Sequence, residues 1–129
     1  MTPIVREFGG TERTFEIKPA SVPMFEAAIG KSLYALIRSF TAGDWRFDDV
    51  AKVISFAGHG PTTDMRRQWG MVLQAAKMGL AMPPLPYCAH PEVVDILTKD
   101  GHGNYAELAA EILTAAVFGD EPEGGADEE

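Results

Sequence analysis

From Ser21 onward, apolar residues recur every three or four positions, and nearly every such run stops at a glycine. That spacing places the apolar side chains on one face of a helix. Val22, Phe25, Ile29, Leu33, Leu36 and Phe40 form the first stripe. Ser21 is placed to cap its start, Pro23 suits a first turn, and Gly30 divides the run into two helices or bends it. Gly43 closes it. Asp44 is placed to open the next helix, with Phe47, Val50, Ile54 and Ala57 inward and Gly58 as its stop. A further helix is expected over Thr63–Met78, with Met65, Trp69, Val72, Leu73 and Ala76 inward and Gly79 at its end. Pro83, Pro84, Pro86 and Pro91 exclude a continuous helix from Ala81 to Pro91, so this stretch reads as extended. Pro91 starts a short helix carrying Val93, Val94, Ile96 and Leu97. Asn104, with Glu107 three residues on, reads as the cap of a last helix that ends at Gly119.

Before Ser21 the period is two. Two β-rich runs flank Gly9-Gly10, which predicts a hairpin over about residues 3–18. An isolated hairpin is marginal, so it must lean on the helices or on a partner. The expected fold is therefore mostly α with a small N-terminal β-hairpin (α+β), a compact bundle of five or six short helices. Its expected domain is 1–119, followed by a disordered acidic tail at 120–129.

The chain has 129 residues and a net charge of −8. Six acids and no base lie in 120–129, which leaves 13 acids against 11 bases elsewhere. The bases are interleaved with acids rather than clustered, which argues against direct nucleic-acid binding. A single cysteine, Cys88, allows no intramolecular disulfide and suits a reducing compartment. Met1–Phe8 lacks the pattern of a signal peptide, and no stretch is apolar enough to span a bilayer. A cytoplasmic protein with no membrane association is expected.

Motifs for chemistry are sparse. Gly30-Lys31-Ser32 matches only the end of a phosphate-binding loop, because Phe25 stands where that loop needs its first glycine. Cys88 and His90 make one tight pair of metal-type ligands, where a structural zinc site needs two. No catalytic residue, metal site or cofactor is expected. Gly58-His59-Gly60 and Gly101-His102-Gly103 each follow a short helix with an acidic start, an internal echo read as chance or as two similar helix ends. The positive signal is in residues suited to adaptable apolar surfaces and anchors: Met24, Phe25, Trp45, Met65, Trp69, Met78 and Tyr87. These are the expected partner-binding residues.

The hairpin leads into Glu26-Ala27-Ala28-Ile29-Gly30-Lys31-Ser32-Leu33, then Asp49-Val50-Ala51-Lys52-Val53-Ile54, and finally Tyr105–Ala116, rich in Ala and Leu. This order resembles the gene transfer agent family of small tail proteins, related to phage tail assembly chaperones. The stretch from Pro61 to His90 departs from it, being longer than that family's connection. The resemblance implies a non-enzymatic assembly protein that binds the tape-measure protein or the major tail-tube protein. It would act in the bacterial host cytoplasm and either leave or stay in the assembled particle. The alternatives are a minor structural tail component, a small acidic adapter or a metal-dependent regulator. Exposed Met and Trp leave homo-oligomerisation open.

Overall fold

The computed structural model describes residues 3–80 and 87–118. Gly9 and Gly10 both take left-handed backbone conformations, with φ of 65° and 82°. Such a two-residue turn matches the twist of paired strands. Ile4–Phe8 (β1) and Thr11–Phe15 (β2) accordingly pair antiparallel, with Phe8 opposite Thr11 and Ile4 opposite Phe15. The turn rests on a helix as well: a Cβ on Gly9 would come within 2.6 Å of Ile96 Cδ1. Phe8 and Phe15 are buried and meet edge to face at 6.0 Å.

Arg6 stands opposite Arg13 across the hairpin. Like charges so placed repel, and the two guanidinium groups diverge to different helices. Arg6 pairs with Glu111 at 2.8 Å and Arg13 with Glu92 at 3.0 Å. The ribbon is thereby tied to two later segments of the chain.

Six α-helices follow among the described residues: Val22–Ile29 (α1), Leu33–Ala42 (α2), Phe47–His59 (α3), Thr63–Lys77 (α4), Pro91–Asp100 (α5) and Ala106–Phe118 (α6). Mostly helical architecture with one small hairpin is the fold that the periodicity predicts. The left-handed Gly30 ends α1. The helix direction then restarts at Ser32, whose hydroxyl accepts from the Ala35 N–H at 3.0 Å. The Glu26 carboxylate accepts from the Leu33 N–H at 2.8 Å, so two otherwise orphaned donors are satisfied.

The boundaries of α3 differ from expectation at both ends. It begins at Phe47 rather than at Asp44, because the Asp49 carboxylate reaches back to the Arg46 N–H at 3.0 Å. It runs through Gly58 to His59 and ends at Gly60. Gly58 is a packing residue, since a Cβ there would approach the Phe15 ring to 3.2 Å. The α6 start also differs. Asn104 lies in a tight turn over His102–Tyr105, and its side-chain amide donates to the Asp100 carbonyl at 2.7 Å.

α3 is the centre of the core. Eight of its 13 residues are buried, which marks a helix covered on most sides. α6 packs on α2 and α3, α5 packs on α3, and the end of β2 reaches α3 through the Glu16 N–H to Ala57 carbonyl bond at 3.1 Å. Phe25 and Phe56 meet at 4.7 Å within this core. α4 is different. Only Met65 and Val72 are buried among its 15 residues. Leu73 and Ala76, expected inward, are exposed, and Trp69 is half-buried. The stripe exists, but neighbours cover only one edge of it.

The proline-rich stretch expected to be extended falls mostly on 81–86, and the acidic tail on 119–129, both outside the described residues. Among the described residues no helix is long and apolar enough to cross a membrane.

Candidate functional site

The most concentrated chemistry lies where the C-terminal end of α3 meets the N-terminal end of α5. Its foundation is Ser55, buried on α3 at 1% exposure. A buried hydroxyl needs partners, and Ser55 Oγ has two. It lies 2.7 Å from the Tyr87 hydroxyl and accepts the His90 N–H at 2.8 Å. The segment 87–90 is thus pinned to α3 by one oxygen. Tyr87 also meets Phe56 edge-on at 5.8 Å, and its burial raises the phenol pKa above the usual value.

Pinning the His90 backbone sets its ring against that of His59, the last residue of α3. The two imidazoles are parallel within 7°, with centroids 4.1 Å apart. His90 also caps α5: its Nδ1 accepts the Glu92 N–H at 3.1 Å. Helix caps of this kind contribute roughly 1 kcal/mol. Glu92, in the first turn of α5, benefits from the positive end of the helix dipole. Its carboxylate takes two bonds from Arg13, at 3.0 and 3.3 Å, and approaches His59 Nε2 at 3.5 Å. The Arg13 guanidinium holds the Glu92 carboxyl below its ordinary pKa. Partial burial, followed by the neighbouring His90, lowers that of His59.

A cleft of about 430 Å³ opens beside the rings, lined by Ser55, Pro61, Thr62, Cys88 and Pro91 among others. Cys88 is free and exposed. The Ser55 oxygen is bonded to a phenol and an amide rather than to an imidazole. A serine hydroxyl so engaged is not activated as a nucleophile.

The two Gly-His-Gly segments diverge in structure. In the first, the helix ends at the histidine, and the following Gly60 carries the positive φ. In the second, the helix ends at Asp100, and the preceding Gly101 carries it. His102 consequently turns toward Trp45 and Phe47, at 5.4 and 5.1 Å, near the opposite end of α3.

The seven residues expected to bind a partner do not form one surface. Met24, Phe25, Met65 and Tyr87 are core side chains, each 9% exposed or less. Trp45 is half-buried, stacked on Phe40 at 5.9 Å. Trp69 is half-buried on α4, and Met78, just beyond that helix, is 65% exposed. Exposed apolar side chains cluster along the same stretch of chain at Met71, Leu73 and Leu80. Helical spacing alone does not separate these from inward residues. The histidine stack was equally hidden, because its members belong to different elements.

No family model, curated protein or solved structure matches the chain.

Proposed function

We propose that the chain is a non-enzymatic protein-binding subunit of the phage-tail assembly kind, acting in the bacterial host cytoplasm. Its partner is a helical stretch of the tape-measure protein or the tail-tube protein. One observation carries this reading: α4 keeps Met65 and Val72 inside and leaves Met71 and Leu73 outside, and Met78 and Leu80 just beyond it are exposed as well. Met71 and Met78, seven positions apart, suit a groove-and-helix contact, in which flexible thioethers adjust to the partner. Arg66, Arg67 and Lys77 outnumber Asp64 on this helix, so it carries a net positive charge within an acidic chain. A partner helix with acidic flanks is favoured by that contrast.

Co-expression with tape-measure and tail-tube proteins of the phage-tail kind tests the reading. Co-purification of one of them is expected, with loss of that partner in the M71E/M78E double variant. Recovery of neither protein would remove the proposal. Retention in the double variant would move the contact away from α4.

A further inference from the structure

The donors at the junction of α3 and α5 have no part in a contact made by α4. Three of them converge from two helix ends: the ligand atoms of His59, His90 and Glu92 lie within 4.8 Å of one another. We infer that these three side chains form a binding site for a single zinc-class divalent ion, which fastens the end of α3 to the start of α5.

The donor set selects the ion. Two imidazoles and one carboxylate match zinc, cobalt and nickel, whereas calcium and magnesium prefer oxygen donors throughout. Three protein ligands leave a fourth tetrahedral position for water. Zinc bonds of roughly 2.1 Å hold neighbouring ligand atoms about 3.4 Å apart. The side chains must therefore close inward from the spacing they have now. The rings must also splay, because parallel imidazoles direct their lone pairs side by side. Both histidines and Glu92 are exposed, so these are changes of side-chain rotamer. His90 must release its Nδ1 from the Glu92 N–H or present its other nitrogen. The backbone beneath it stays in place, held by the buried Ser55 hydroxyl.

Arg13 is the occupant that the ion replaces. Its guanidinium already places a positive charge on Glu92 beside the two imidazoles, with bonds at 3.0 and 3.3 Å. Guanidinium and metal compete for one carboxylate. Removing the arginine should thus strengthen metal binding, the opposite of what loss of a merely structural ion pair would do.

The experiment is calorimetric titration of the full chain with zinc chloride after removal of bound metal, paired with thermal unfolding with and without zinc. One ion per chain and a raised unfolding temperature are expected. E92Q and H59A should each weaken binding roughly tenfold or more, the scale seen when metal-site contacts are lost. R13A should tighten it, and C88S should leave it unchanged. Cobalt in place of zinc should give the visible bands of a four-coordinate centre, lost in E92Q. Should H59A fail to fold, E92Q carries the test, since that change is on an exposed carboxylate and leaves the Glu92 backbone bond intact. No zinc uptake by the wild-type chain, uptake indifferent to E92Q, or uptake abolished by C88S would overturn the proposal. None of these outcomes bears on α4 and its partner.

Discussion

α3 and α4 are consecutive helices of similar length and similar amphipathic spacing, yet the molecule uses them in opposite ways. α3 buries eight of 13 residues, α4 two of 15. The difference comes from what lies opposite. α3 meets β2, α5 and α6, while among the described residues α4 is covered along the single edge of Met65, Trp69 and Val72. A helix of that length is marginal alone in water, and packing normally supplies its stability. α4 is therefore the part of the fold with most to gain from a second polypeptide.

The contrast is broken most directly by emptying the core. Phe56→Ala, which removes a ring 2% exposed and in contact with Phe25 and Tyr87, should cost about 3–5 kcal/mol in denaturant unfolding. A cost like that of a surface change would mean that α3 is not the centre. Ser55→Ala should cost about 1–3 kcal/mol, because it leaves a buried phenol and the His90 N–H short of a partner. Amide exchange should then rise first in residues 87–90.

The same glycine-to-alanine change should have opposite signs on the two helices. At Gly58 the new methyl group meets the Phe15 ring at 3.2 Å, and that ring is fixed against Phe8, so stability falls by about 1–3 kcal/mol. At Gly70 the methyl group meets nothing within 4 Å, so stability rises by up to about 1 kcal/mol from helix propensity alone. Thermal melts of the two variants decide this, and equal signs would erase the distinction. Smallest of all, Met71→Ala, at a side chain 74% exposed, should change unfolding by less than about 0.5 kcal/mol. A large loss there would show that Met71 is already covered in solution, by a second copy of the chain.

Much of this architecture was legible in the residues. Gly9-Gly10 set the hairpin, and Gly30 and Gly43 set the ends of α1 and α2, because each punctuates a clear period. Gly58 misled for the same reason: a glycine near the end of a stripe looks like a stop, but this one makes room for Phe15. Leu73 and Ala76 show a second limit. Spacing tells which side chains share a face and is silent on whether anything faces them. The meeting of His59 with His90 depends on Ser55 drawing segment 87–90 onto α3, a tertiary bond with no local signature. The family resemblance concerns function and rests on patterns of small and apolar residues, so its test is the partner experiment rather than the fold.

The hairpin's anchorage also imposes a timetable. Arg6 and its partner Glu111 are 105 positions apart, so β1 is secured by a helix synthesised much later than itself. At ordinary synthesis speeds the wait is roughly 5–20 s. Through that interval a ribbon too small to hold itself together keeps two phenylalanines in water. A chain part-way through synthesis is thus open to clumping at its hairpin until α6 has been made and can join it.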